Sequence, residues 1–259
     1  MFDASSKEYK YSKSLNDCLH IGPPLQPMMY DILIRFRMYP VALLGDIEKA
    51  FLQIGVCPED RDVMRFIWVK DVKQEPPELQ TLRFTKVIFG SGASPFLLGA
   101  TIREHLENYK TEDLEFVSTV LSSLFVDDLV AGGRYPKEVE DLMTKLIARF
   151  KEGHFNMRKW KTNNKELREK INSESKDAAG SQAVKKQENE ATKVLGVRWN
   201  LEKDQMSVNF AKVSSLQHEP TQRGILRTIA AIYDPLGVAS PVSIIAKVIY
   251  HNVCMQGNG

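Results

Sequence analysis

Two short apolar runs, each ending on aspartate, constrain this chain more than any other feature. Val41-Ala42-Leu43-Leu44-Gly45 stops at Asp46, while Ser123-Leu124-Phe125-Val126 stops at Asp127-Asp128 before Leu129-Val130-Ala131 resumes. Runs of this length and apolarity read as buried strands. The first delivers Asp46 at its end; the second reads as strand, two-aspartate turn, strand, because Asp is at ease in tight turns. Carboxylates from separate segments are what two-metal phosphoryl transfer requires, since the ions sit about 3.5–4 Å apart and need oxygen ligands from both sides. Taken alone, such residues are more often ordinary: Asp46 as a cap of the following helix and the Asp pair as a simple turn.

The pattern around these runs predicts a mixed α/β (α+β) chain. Met28 to Met38 has helical spacing, and Pro40 stops it. Arg65–Val69 and 82–87 read as the arms of a hairpin around a polar turn at 74–78. Ser94 as cap with Pro95 in the first turn starts a helix towards Tyr109, and a second covers 114–122. Pro136 opens a helix whose Val139, Leu142, Met143, Leu146, Ile147 and Phe150 form one apolar face. From 163 to 192 the composition turns to Lys, Glu, Ser, Gln and Asn, a helical or mobile insertion by its lack of apolar residues. Val194–Trp199 and 206–210 then read as a hairpin, and 222–256 as two helices separated near Pro235, Gly237 and Pro241.

With 259 residues, 43% of them hydrophobic, the chain can bury a real core. A net charge of +2 points by itself to neither nucleic acid nor membrane, so any basic surface must be local. Such a cluster is Arg158, Lys159, Lys161, Lys165 and Arg168, readable either as phosphate contacts or as a solvated face. The 3 cysteines, widely spaced, support neither a disulfide framework nor a zinc ribbon and suit a reducing compartment. No apolar run approaches the ~20 residues needed to cross a bilayer. Both ends read as cuts within a longer protein.

Four segments occur in order with sensible gaps: LLGDIEKAFLQIGV, VIFGSGASPFLLGATI, LFVDDLVAGG and KVLGVRWN. They resemble the successive palm motifs of reverse transcriptases. FDASSK, SLNDCLHIGPPLQ and RTIAAIYDPLGVASPVSIIAK further resemble the BEL/Pao class of long-terminal-repeat retrotransposons. The resemblance implies a polymerase palm, an antiparallel sheet backed by helices, across 41–162, with a fingers insertion at about 58–86. Partial fingers would occupy 1–40, the polar insertion 163–192, a primer-grip hairpin 193–210, and the start of a thumb or connection 211–259. By position, Asp46, Asp127 and Asp128 would be the catalytic metal ligands for two Mg2+ ions, with Mn2+ a substitute. Ile47 would offer its backbone, and Phe51 would be the aromatic gate excluding a ribose 2′-hydroxyl. Gly90, Ser94 and Pro95 would shape the loop under the nucleotide; Leu195, Gly196 and Trp199 would hold the primer end; Arg158, Lys159 and Lys161 would meet the nucleic-acid backbone.

What the resemblance implies is RNA-directed DNA polymerase activity on an RNA or DNA template with primer and deoxynucleoside triphosphates. Other parts of a Pol polyprotein would be partners, no membrane would be involved, and the setting would be a cytoplasmic retrotransposon particle or the nucleus. No ribonuclease H, protease or integrase pattern is expected in the chain. Phe89 stands where retroviral enzymes carry Gln, but an aromatic there agrees with the BEL/Pao pattern and does not count against activity. The upstream Arg and Lys that clamp the triphosphate in relatives would precede Met1, and that implies weakened nucleotide binding. The rival readings are a non-catalytic, decayed retroelement protein that binds nucleic acid, and a cyclase-type palm, which the Ser-Pro loop and the Leu-Gly-x-x-Trp segment disfavour.

Overall fold

A computed structural model describes residues 3–178, 192–214 and 221–255. In chain order the elements are α1 (Leu15–Cys18), α2 (Met29–Met38), β1 (Val41–Ile47), α3 (Ala50–Gln53), a 3-10 segment (Pro58–Met64), β2 (Arg65–Val69), β3 (Leu79–Arg83), α4 (Ser94–Glu107) and α5 (Leu114–Ser123). There follow β4 (Leu124–Phe125), β5 (Asp128–Gly133), α6 (Pro136–Glu152), β6 (Met157–Thr162), α7 (Lys165–Ala178), β7 (Lys193–Val194), β8 (Val197–Asn200), β9 (Gln205–Ser207), α8 (Ala211–Ser214), α9 (Gln222–Ala230) and α10 (Ser240–Met255). The fold class is mixed α/β with antiparallel sheets and helices. Strands β4-β5-β1-β6 lie in that order in a four-stranded sheet; β2-β3 and β7-β8-β9 form two smaller ones.

The chain divides into two compact units, the first made of 1–27, 45–129 and 141–159, the second of 28–44, 130–140 and 160–259. In the first unit, Leu98, Ile102 and Leu106 recur every fourth residue along α4 and are fully buried, as a helical apolar stripe requires. Each such side chain contributes roughly 1.5–3 kcal/mol by leaving water. Phe116, Val117 and Val120 of α5 and Met143, Leu146 and Phe150 of α6 complete the core. Asp113 caps α5, accepting from the Phe116 amide at 3.1 Å. The Tyr109 hydroxyl donates to Glu152 at 2.5 Å, and Arg149 lies 4.3 Å over the Tyr109 ring. Ile147, expected on the buried face, is 40% exposed, because one residue beyond Leu146 the helix has turned about 100° away from the stripe.

The β2–β3 hairpin pairs Arg65 with Arg83 and Val69 with Leu79, so its second arm starts three residues before the expected 82–87. Asp62 explains the register: its carboxylate receives Arg65 and Arg83, each at 2.7 Å, and holds the two strand ends together. In the second unit, Ile32, Leu33 and Phe36 of α2 are buried with Leu167 and Ile171 of α7 and Val194, Val197 and Trp199 of the small sheet. Asn163 ties the start of β1, accepting from the Ala42 amide at 2.9 Å and donating to the Pro40 carbonyl at 3.0 Å. Gly132 has to be glycine, because a Cβ there would lie 2.5 Å from the Val41 carbonyl oxygen. The segment 163–192, read as helical or mobile, carries α7, and its residues 179–191 lie outside those described.

Candidate active site

All residues of the acidic site belong to the first unit. Every residue of β1 is buried except Asp46, which is half-buried one position before the strand ends. The next residue fixes what stands beside it: the Ile47 amide donates to the Asp127 carbonyl at 2.9 Å, and the Glu48 amide donates to the Asn156 carbonyl at 2.8 Å. The aspartate turn and the approach to β6 are thus both fastened to the end of β1 by backbone hydrogen bonds.

The turn itself is displaced by one residue from the expected one. Leu124 pairs with Leu129 and Phe125 with Asp128, so Val126-Asp127 forms the loop and Asp128 begins β5. Val126 adopts φ 57°, a left-handed conformation that costs a β-branched residue roughly 1–2 kcal/mol. Helix α5 runs through Ser123 and leaves β4 only two residues, which is why the turn closes earlier than the apolar run suggests.

The carboxylates sense one another. Partial burial, then the neighbouring Asp46 charge, raises Asp127 above the ordinary carboxylate range. Asp128 is open to solvent on one side. Even so, loss of hydration followed by the charges of Asp127 and Asp46 pushes it up to about 6, with Lys159 opposing the rise. Anionic groups that disfavour one another's ionisation are waiting for positive charge.

Part of that charge comes from β6, which sequence patterning did not predict because Arg and Lys interrupt its apolar alternation. Lys159 Nζ lies 3.1 Å from Asp46 Oδ2, and Arg158 Nε lies 3.8 Å from the same oxygen. Arg158 Nη1 meets Glu48 at 2.6 Å, and Asn156 Nδ2 donates to the other Glu48 oxygen at 2.7 Å. Glu48 and Asn156 were not among the expected site residues; only adjacency to Asp46 could have suggested Glu48. Arg158 Nε is buried without a hydrogen-bond partner. Lys159 has φ 55°, a second strained non-glycine residue at the site.

Oxygen-only donors and mutual repulsion suit hard divalent cations. In their present rotamers, however, no group of three His, Cys, Asp or Glu side chains among the described residues is gathered closely enough to hold a metal ion. The donor chemistry therefore fits, while Asp46 is paired with Lys159 in this structure.

Phe51 is 6% exposed and meets Phe89 edge-on at 4.7 Å, with Phe89 itself 55% exposed. The loop before α4 is clamped by Asn16, whose Nδ2 donates to the Gly90 carbonyl at 2.9 Å and whose Oδ1 accepts from the Gly92 amide at 2.8 Å. Gly90 takes φ 93°. Ser94 is not the helix cap: Ala93 is, and the buried Ser94 hydroxyl donates back to the Ile88 carbonyl at 2.7 Å. Pro95 follows within the first turn, where its missing N–H costs nothing.

In the second unit, the expected single strand 194–199 is two strands. Lys193 pairs with Arg198 and Val194 with Val197 around Leu195-Gly196, whose φ values are 45° and 88°. Two positive φ angles in a two-residue loop are the requirement of a type I′ hairpin turn. Tyr233, unforeseen from sequence, donates to the Leu195 carbonyl at 2.7 Å. Trp199 is 3% exposed, stands edge-on to Phe36 at 4.9 Å and donates from Nε1 to Asp204 at 2.8 Å. Lys161 Nζ lies 3.4 Å from Thr192 Oγ1, and Arg168 is paired with Glu202.

A protein-family model described as the Pao retrotransposon-like RNaseH-like domain matches residues 221–259. This supports a BEL/Pao retrotransposon origin. The stretch 227–247, which carried part of the resemblance, lies inside the match. The match also corrects the expectation that no ribonuclease H-related pattern occurs in the chain. No curated protein matches the chain.

Proposed function

We propose that the chain contains the polymerase palm of a BEL/Pao-class reverse transcriptase and transfers deoxynucleotides to a primer 3′ end on an RNA or DNA template. The observation that carries this reading is the fastening of the Val126-Asp127 turn to the end of β1, which brings Asp46, Asp127 and Asp128 within electrostatic reach of one another. The order of the sequence motifs and the retroelement match at 221–259 support it.

In this reading Asp46, Asp127 and Asp128 would hold two Mg2+ ions, for which Mn2+ could substitute. Bound there, the ions would neutralise developing charge and activate the attacking oxygen. The chain's own residues then divide the remaining work. Ile47 presents backbone beside the carboxylates. Phe51 would be the aromatic gate against a ribose 2′-hydroxyl, with the exposed Phe89 meeting its buried ring edge-on. The Asn16-clamped loop at Gly90, with Ser94 and Pro95, offers close backbone approach to a nucleotide. Leu195, Gly196 and Trp199 form a rigid turn and buried anchor for a primer terminus, while Arg158, Lys159 and Lys161 supply positive charge for phosphates. Template, primer and deoxynucleoside triphosphates would be its partners along with the rest of a Pol polyprotein, in a cytoplasmic particle or the nucleus. Among the described residues no helix is long and apolar enough to cross a membrane.

Primer extension on poly(rA)/oligo(dT) with Mg2+ or Mn2+ tests the reading. Extension should fall by at least about 100-fold in Asp127→Asn/Asp128→Asn, in line with removal of charge stabilisation from a transfer site. A second reading, a non-catalytic retroelement-derived protein that binds nucleic acid, is favoured by the ungathered carboxylates and the Lys159 contact. Equal primer binding by both forms with no extension by either would select it.

A further inference from the structure

Consecutive residues of a regular strand point to opposite faces. Arg158 and Lys159 break that rule, for both reach Oδ2 of Asp46. Lys159 takes a left-handed backbone, and a positive φ inside a strand interrupts the regular alternation of its side chains. A strained lysine is thereby directed onto a carboxylate that already has a guanidinium nearby.

The two cations differ in how firmly they are held. Arg158 is committed elsewhere, because Glu48 takes its Nη1 at 2.6 Å and Glu48 is itself steadied by Asn156. Among the described residues Lys159 is ion-paired with Asp46 alone; it keeps 47% of its side chain exposed and hangs on a flexible four-carbon stem. Of the two it is the one that can leave.

We propose that Lys159 is a tethered, displaceable counter-ion whose ammonium occupies Asp46 in the metal-free protein and must be released for a divalent cation to use that carboxylate. The inference rests on the metal-site reading above. Lys159 is a positioning residue here: it acts through Asp46, holding together an acidic cluster that would otherwise repel itself, and it sets the threshold for cation entry.

The test is Mn2+ binding to the full chain without nucleotide or primer, read by the electron paramagnetic resonance signal of free Mn2+. Lys159→Met and Lys159→Gly should each bind Mn2+ about twofold to fivefold more tightly than wild type, the range of a partly exposed ion pair. The glycine variant accepts φ 55° without strain, and its melting temperature, measured alongside, separates a folding defect from a change in affinity. Lys159→Arg should keep wild-type affinity, Lys151→Met should not reproduce the gain, and 0.5 M KCl should narrow the difference. Unchanged or weaker binding in Lys159→Gly, while Asp127→Asn/Asp128→Asn still abolishes wild-type binding, would overturn the role of Lys159 alone. Wild-type binding indifferent to Asp127→Asn/Asp128→Asn would overturn the metal-site reading and this inference with it.

Discussion

Asp128 carries a free-energy penalty at neutral pH that its neighbours impose. Its carboxyl group titrates near 6 in the folded chain against 3.8 when unperturbed, chiefly through lost hydration and then through Asp127 and Asp46. A raised carboxyl pKa means that the folded state binds its proton more tightly than the unfolded state does. Stability from this group is therefore present below 3.8, falls as pH rises to about 6, and is gone above that. Asp128→Asn should accordingly stabilise the metal-free protein at pH 7.5 by on the order of 1 kcal/mol, a value discounted for solvent exposure. At pH 3.5 the gain should vanish. Urea melts at the two pH values check this, and an equal effect at both would show that repulsion is not the cause. Asp46, Asp127 and Asp128 were legible as residues at a strand end and a turn, whereas their grouping as one site came from the resemblance to palm motifs. Lys159 as the partner of Asp46 was not, since nothing in RKWK announces a left-handed lysine.

At the scale of elements, patterning read the helices well because their apolar faces repeat every three or four residues, as in Leu98, Ile102 and Leu106. It failed where two-residue geometry decides. The Leu195-Gly196 turn is hidden inside an apolar stretch that looks like one strand, and Leu is a poor herald of positive φ. That mismatch yields a prediction: Leu195→Asn creates the Asn-Gly pair preferred in type I′ turns. It should raise stability by about 0.5–1 kcal/mol, since Asn tolerates φ 45° far better than Leu. Half-buried Leu195 loses little apolar contact in the exchange, and the backbone carbonyl that Tyr233 uses is retained. A lowered melting midpoint for Leu195→Asn would mean that the Leu side chain contributes more than its backbone conformation costs. The β6 strand was missed for a related reason, because lysines on an outermost strand mask its alternation while protecting the sheet edge.

For the molecule as a whole, the residues proposed for metal binding and those matching the Pao RNaseH-like model belong to different units. Helices α9 and α10 have no buried residues. Along α10, Val242, Ile245, Val248 and Ile249 are 70%, 61%, 51% and 51% exposed. An apolar surface of this extent favours self-association, and a helical pair that buries so little adds little to global stability. Ending the chain at residue 220 should therefore lower the melting temperature by no more than a few degrees. The loss would come from contacts such as the Tyr233 hydrogen bond to Leu195, worth about 1 kcal/mol. The shortened chain should stay monomeric to higher concentration in sedimentation velocity runs. Its Mn2+ affinity should remain within about twofold of the full chain, because the carboxylates, Glu48, Arg158 and Lys159 all lie in the other unit. Loss of Mn2+ binding on truncation would instead show that 221–259 is coupled to the acidic site, and that the two units do not act independently.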